Sequence, residues 1–465
     1  MKGRAVTNIS SANQLTENPS LDHHMRVPMT DELHARPFAK LQAPCRVAFI
    51  ALKPDEDSLH DQALAHGQLV DFLDRFGADH PERPGVVYHF ATLIDNPDHR
   101  LTLKWENHTE FATYTLYSSN MDAEPFAPDL HDYFAPDWIA TYPGRRITSA
   151  VVQVEIEPDI MAIEHRVNTD LRSWFMHEGF AAGWVSDHMA VLAGNFHLDQ
   201  EGHIRFALLG RKGIGPRRLG RIIQRVLEIE TYKSIAMLTL PIARSIFSDL
   251  EGINRELSRT VEAMAKVDNN HKETLQQLQK LSSQIALLDT NSAFRFSATR
   301  AYERLVHDRT NILREGRVLG RQLFVEFMTR RFDPAMRTCH AAHEALQNAS
   351  DRADKAADLL STRVSVTTAE QNRALLHKMD RRAEQQARLQ ETVEGISVVA
   401  ISYYAVSLLT YLLAPLTKVL PMSKTMLAAG LVLPVAGFVW ISMHRLKEKL
   451  IRKGTDISRD GQKDH

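Results

Sequence analysis

The sequence is poor in cysteine and begins without an apolar segment. Cys45 and Cys339 are the only cysteines among 465 residues, which excludes a disulfide-stapled scaffold and indicates a reducing compartment. Residues 1–22 are polar and lack the apolar core of a signal peptide. We therefore expect a disordered tail there and no export of the large N-terminal part. The formal net charge is −1, so the chain as a whole has no attraction for nucleic acid.

Two stretches near the other end contain no charged residue. They are Ile396–Leu416, 21 residues long, and Thr425–Met443, 19 residues long. At 1.5 Å per residue the longer stretch spans about 31 Å, close to the hydrocarbon thickness of a bilayer. These runs predict a two-span transmembrane hairpin over 395–444. The alternative is a buried helical hairpin in a soluble core.

The charge around the two runs predicts their orientation. The connector carries only Lys418 and Lys424, whereas basic residues are concentrated outside the runs: Lys378, Arg381, Arg382 and Arg388 before them, and Arg445, Lys447, Lys449, Arg452 and Lys453 after them. Basic segments stay in the cytoplasm. We expect a multi-pass protein of the bacterial inner membrane, with a cytoplasmic N-terminus and a basic cytoplasmic tail over 445–465.

The remainder predicts an α+β fold. Residues 23–212 form a mixed α/β cytoplasmic domain around a largely antiparallel sheet, because β-branched and aromatic runs occupy 86–94, 102–117 and 147–158, and a hairpin pattern covers 186–199 with 203–210. Residues 213–394 form a helical stalk domain with apolar residues at helical spacing.

The last stalk helix is expected to continue into the membrane. A preceding helix covers about 292–330, and Asp333 with Pro334 is expected to end it and to begin the next one. From Pro334 onward a single helix of roughly 80 residues is predicted, about 120 Å long. Its polar stretch cannot be buried alone, so neighbouring helices or further copies should support it.

Two resemblances follow from these segments. The run from stalk into first span, residues 372–412, resembles the CorA-type magnesium transporters in topology, which implies a pentamer whose first spans line a pore. Those transporters end that span with Gly-Met-Asn, whereas this chain has Tyr411-Leu412-Leu413-Ala414-Pro415, so magnesium selectivity is not implied. The segments ELHARPF (32–38) and LKWENHTEF (103–111) resemble a bacterial family of uncharacterised membrane-anchored proteins, which implies no activity.

Three groups of side chains are candidate ligand sites. His34 and Arg36 lie just before the rigid Pro37, and Arg36 could hold a regulatory anion; an interdomain contact is the alternative. On one strand, Glu106, His108 and Glu110 would share a face and could bind a divalent cation or transfer protons; a solvated sheet face is the alternative.

The third group is a basic turn. Gly213 and Gly215 are surrounded by Arg211, Lys212, Arg217, Arg218 and Arg221. The turn could hold a phosphate at a helix N-terminus, although no complete P-loop is present. A basic turn without a ligand is the alternative.

The first span carries hydroxyl groups on one helical face. Ser397, Tyr404, Ser407 and Tyr411 are spaced by seven, three and four residues. Tyr404, Ser407 and Tyr411 are therefore candidate pore-lining residues; helix–helix packing is the alternative. We expect a homo-oligomer, most simply a pentamer, acting as a cation channel or transporter of unknown ion. The alternative is a membrane-anchored scaffold or sensor. No Ser–His–Asp or catalytic Cys pattern is recognisable, so we do not expect an enzyme.

Overall fold

The computed structural model describes residues 23, 25–26, 29–30, 37–55, 61–82, 85–141, 144–175, 179–264, 271–413 and 424–460. The chain divides into two compact units, Met1–Ala357 and Asp358–His465. The first contains a mixed sheet with its covering helices, and the second contains most of a long helix and a C-terminal apolar helix. This architecture confirms the predicted fold class.

The sheet of the first unit has nine strands in the described part of the chain, in the order β2-β3-β4-β1-β5-β8-β7-β6-β9. Every neighbouring pair is antiparallel except β5 with β8, which confirms the largely antiparallel sheet. The strands are β1 (Cys45–Pro54), β2 (Tyr88–Asp95), β3 (Arg100–Asn107), β4 (Ala112–Ser118), β5 (Gly144–Glu157), β6 (Ala181–Val185), β7 (Ala190–Leu198), β8 (Ile204–Arg211) and β9 (Gly316–Arg317).

The helices fall into short ones between strands and long ones after them. The short ones are α1 (Gln62–Asp74), a 3₁₀ helix (Pro128–Tyr133), α2 (Pro136–Ala140), α3 (Ile160–Asn168) and α4 (Asp170–Trp174). The long ones are α5 (Pro216–Met237), α6 (Thr239–Met264), α7 (His271–Ile312), α8 (Phe324–Leu413) and α9 (Lys424–Asp460).

One face of the sheet packs against the short helices. Ile50 of β1 lies opposite Ser149 of β5, and Ala48 lies opposite Val151, so these side chains share that face. Over β1–β4 it forms an apolar cluster with α1 and α2, including Phe72. Over β5–β8 it forms a second cluster with α3 and α4, which includes Val151.

Helix α5 covers the opposite face. It begins with Pro216 at its first position after Gly215 as N-cap, an arrangement that suits the fixed φ of proline. A segment before the sheet crosses α5 at close range, because Leu41 N donates to Pro216 O at 3.2 Å. At Gly220 a Cβ would lie 1.8 Å from the carbonyl oxygen of Ala39. Glycine is therefore required at this crossing.

Two boundaries differ from expectation. Residues 102–117 form the hairpin β3–β4 instead of one strand, because the chain reverses between Asn107 and Ala112. Pro334 lies inside α8 and does not begin it. The helices separate earlier, between Ile312 and Phe324, where Gly320 has φ +70°. That conformation favours glycine and interrupts a helix.

The long helix itself is confirmed. Helix α8 runs for 90 residues from Phe324 to Leu413. It therefore includes the soluble part of the predicted last stalk helix and most of the first uncharged run as one continuous helix.

Replacing Gly220 by alanine should lower the free energy of unfolding by about 2–3 kcal/mol, as overpacking typically does. The backbone carbonyl of Ala39 cannot rotate away as a flexible side chain would. Gly252→Ala in α6 is the control, because nothing lies within 4 Å of its added Cβ, and it should raise stability by up to about 1 kcal/mol. Denaturant unfolding of the full chain in detergent measures both; equal stabilities would contradict the close crossing.

Candidate functional site

The three residues proposed as a cation or acid–base site lie around the β3–β4 turn. Glu106 is in β3, but the strand ends at Asn107, so His108 and Glu110 do not continue its alternation. His108 N donates to Phe111 O at 2.9 Å and closes the turn. Within the described residues, no group of three or more His, Cys, Asp or Glu side chains could hold a metal ion.

Glu110 is bound to helix α7. Its carboxylate accepts hydrogen bonds from the Arg295 guanidinium and, at 3.0 Å, from the Tyr302 hydroxyl. The side chains of Glu110 and Arg295 are 11% and 9% exposed, so the ion pair is nearly dry. Burial, followed by the charge of Glu110, raises the pKa of Tyr302. This carboxylate connects the sheet to α7.

Glu106 belongs to a buried polar chain beneath α5. Lys104, 1% exposed, lies 3.0 Å from the Glu106 carboxylate and donates to Gln224 Oε1 at 2.8 Å. Gln224 then donates to Glu228 at 2.8 Å, and Glu228 pairs with Arg309 of α7. The alternative of a solvated sheet face is wrong for Glu106: α5 covers this face, and ion pairs and hydrogen bonds satisfy its charges.

A small cavity lies beside this buried polar chain, between α5 and the sheet. Its volume is about 20 Å³, and its lining includes Lys104, Thr113, Thr115, Tyr117 and Thr231. That volume suits about one water molecule. The cavity is therefore a place for buried water between α5 and the sheet, and too small for an organic substrate.

The structure also assembles a serine and two histidines that the sequence did not associate. Ser149 Oγ lies 3.1 Å from His131 Nε2 and 2.5 Å from His203 Nδ1, and the imidazole rings stack with centroids 3.7 Å apart. Burial, and then the neighbouring His203, lowers the pKa of His131 to about 3. Ser149 is 1% exposed, so no substrate reaches its hydroxyl in this conformation.

The candidate pore residues lie near the end of α8. Tyr404 and Tyr411 are 67% and 82% exposed in the single chain, and Ser407 is half-buried. Two helical segments are long and apolar enough to cross a membrane, one in α8 and one over Thr425–Arg445 in α9.

Exposed apolar side chains precede these hydroxyls along α8. Leu375, Leu389 and Ile396 are separated by multiples of seven residues. Met379 lies four residues after Leu375, and Val393 lies four residues after Leu389. The side chains of all five residues are 57–66% exposed. The intervening heptad has Arg382 and Gln386 at the same positions. Spacings of seven and four place these residues on one side of the helix.

The remaining candidate residues from the sequence analysis fall into those outside the described part of the chain and those around the basic turn. His34 and Arg36 lie outside the described residues. Of the basic turn, Arg211 contacts Met189 Sδ at 3.3 Å, whereas Arg218 and Arg221 line a pocket with Arg225 and Arg314. Sequence reasoning missed Arg314, because α7 separates it from the others along the chain. Arg225 could have been found by its spacing of four residues from Arg221.

A covered α/β sheet followed by a helix of 90 residues and a C-terminal apolar helix defines the structural class of this protein. A family model described as "Protein of unknown function (DUF3422)" matches residues 21–450, and the chain belongs to that family. The predicted resemblance to an uncharacterised family is thereby confirmed. The resemblance to CorA-type transporters stays a prediction.

Among solved structures, the chain is similar to that described as "structure of the full-length CmaX protein". The identity is 13%, the match covers 65% of this chain and 94% of that chain, and the TM-score is 0.18. No curated protein matches the chain.

Replacing Glu110 by alanine should lower the free energy of unfolding by about 3–5 kcal/mol, because the Arg295 charge would stay buried without its partner. The double variant Glu110→Ala with Arg295→Met should recover part of this loss. Glu251→Ala is the control, since its pair with Arg255 is largely exposed and should change stability little. Denaturant unfolding of the full chain measures all three. Equal losses in Glu110→Ala and Glu251→Ala would show that the contact to α7 is weak.

Proposed function

We propose that this chain is a homo-oligomeric membrane protein whose two apolar helices cross the bacterial inner membrane as a hairpin. Copies associate along α8, and the first spans surround a path for a cation. The observation that carries the proposal is that the exposed apolar positions of α8 and its membrane hydroxyls occupy one side of the same helix.

The heptad positions connect the two sets of residues. Ser407 lies fourteen residues after Val393, so the two share a heptad position. The heptad position of Ile396 recurs at residues 403 and 410, and Tyr404 and Tyr411 each follow it by one residue. Copies of α8 that meet along the apolar side therefore bring Ser407 to their contact line, with both tyrosines beside it. An exposed apolar row on a polar helix also needs a partner, and a second copy of the same helix supplies matching residues.

Burial supports the membrane spans. None of the apolar segment in α8 is buried, and 11% of that in α9 is buried. A core helix of a soluble protein would be mostly buried, and both segments lie far from the N-terminus, where a signal sequence would stand. A bilayer is the environment that such exposed apolar helices fit.

Charge supports the orientation. The basic residues outside the two spans outnumber Lys418 and Lys424 of the connector, so both termini belong in the cytoplasm. Thiol labelling of intact cells tests this orientation. A cysteine at position 423 should react from outside, and reaction at position 454 would overturn it.

Placing lysines on the apolar side of α8 should dissociate the oligomer. Leu375→Lys with Leu389→Lys would put like charges at each contact between copies. The matched control is His377→Lys with Glu391→Lys, which adds lysines two residues further on, on the opposite side of the helix. Mass measurement in detergent should give a pentamer for wild type and the control, and smaller species for the first variant. A monomeric wild type would contradict both the oligomer and the pore.

The cation path is the more specific part of the proposal. Rings of Tyr404, Ser407 and Tyr411 hydroxyls could hydrogen-bond the water shell of an ion without full dehydration. Lys418 and Lys424 repel cations within about 8 Å at physiological salt, so the flux should be weak.

The substitution Ser407→Leu should reduce ion flux into liposomes about tenfold or more, because it replaces a ring of hydroxyls by a dewetted constriction. Leu408→Ile, at an exposed neighbouring position, is the control and should leave flux unchanged. Magnesium, cobalt, zinc and monovalent ions are compared with empty liposomes. Absence of flux for every ion would favour the alternative of a membrane-anchored scaffold or sensor. Flux unaffected by Ser407→Leu would remove Ser407 from the path.

A further inference from the structure

A pocket lined by arginines lies at the first half of α5. Arg218, Arg221 and Arg225 are spaced by three and four residues and so share one side of α5. Arg314, from the segment after α7, approaches from another side, and Ser186 and Asp187 of the β6–β7 turn complete the rim. The cavity has a volume of about 230 Å³.

None of the four guanidinium groups makes a hydrogen bond or ion pair among the described residues. The charge of Glu228 acts on Arg225, but that carboxylate is already paired with Arg309. By contrast, Arg46, Arg166, Arg205, Arg295 and Arg309 each pair with a carboxylate. Arginine at the protein surface is common, but four unpaired arginines that converge on one concave space are not expected from random placement.

This concentration of positive charge is unfavourable without an anion. Arg225 is half-buried, and burial, followed by the positive charge of Arg221, lowers its pKa. Asp187 is the one acidic side chain of the lining, and the Glu228 carboxylate near Arg225 is already paired with Arg309, so positive charge is in excess around the pocket. A dianion bound between the guanidinium groups would relieve the repulsion and accept several charge-assisted hydrogen bonds.

We propose that this pocket binds a phosphate-bearing ligand through Arg218, Arg221, Arg225 and Arg314. Planar guanidinium groups match phosphate oxygens in pairs. The volume holds one or two phosphate groups and leaves the remainder of a larger molecule outside. The ligand is either a soluble phosphorylated compound or the headgroup of an anionic phospholipid, which share this chemistry.

The proposal is tested by titrating the full-length protein in detergent with sodium pyrophosphate by calorimetry, at constant ionic strength. Wild type should bind, Arg221→Ala should weaken binding about tenfold, and Arg221→Ala with Arg314→Ala about a hundredfold, since each charge-assisted contact contributes about one order of magnitude. Arg217→Ala is the matched control. Arg217 is exposed on the same turn of α5 but does not line the pocket, so its loss should change binding less than about twofold.

A second titration with short-chain phosphatidic acid identifies the source of the phosphate. Binding at least about tenfold tighter than pyrophosphate would assign a lipid headgroup, and the reverse order would assign a soluble compound; both should depend on Arg221. Two results would overturn the proposal. One is no binding of either probe at about 10 mM, a concentration far above the dissociation constant expected for several such contacts. The other is an equal loss in Arg217→Ala and Arg221→Ala, which would indicate a general basic surface.

Discussion

The requirement to pair buried charge where α5 meets the sheet governs the first unit. Lys104 and Glu106 lie almost fully buried on a sheet face, which is costly unless each charge has a partner in good geometry. Lys104 and Glu106 pair with each other, and Gln224 of α5 accepts a hydrogen bond from Lys104. Gln224 donates in turn to Glu228, which pairs with Arg309 of α7. The long helices are thus joined to the strands by charge as well as by apolar packing. The long helices follow the strands in the chain, but the stability of the sheet depends on them.

Local pattern was sufficient to predict the elements whose signals are local. The alternation of β5, the hairpin β7–β8 and the uninterrupted run of α8 depend on neighbouring residues, and all three are present. The turn at Asn107–Ala112 was missed because both of its sides read as strand. Pro334 was misread as a helix start because proline is favoured there, although the preceding ten residues of α8 already form a helix that tolerates it.

The sites could be predicted only in part, because they depend on contacts between distant residues. Glu110 and Arg295 are 185 residues apart, and Lys104 and Gln224 are 120 residues apart. Neither pairing leaves a trace in local spacing. The arginines of α5 did, since three of them follow helical periodicity, but the fourth is brought there only by the packing of α7 against α5.

The polar side chains of β3 and β4 also matter while the chain is being synthesised. These strands leave the ribosome roughly a hundred residues before α5, an interval of about ten seconds, and during that time their second face has no cover. An exposed sheet face of leucine and valine would promote aggregation with other nascent chains. Lys104, Glu106, Thr113 and Thr115 are instead well hydrated until α5 arrives. The same residues that require pairing in the finished protein therefore protect the unfinished one from aggregation.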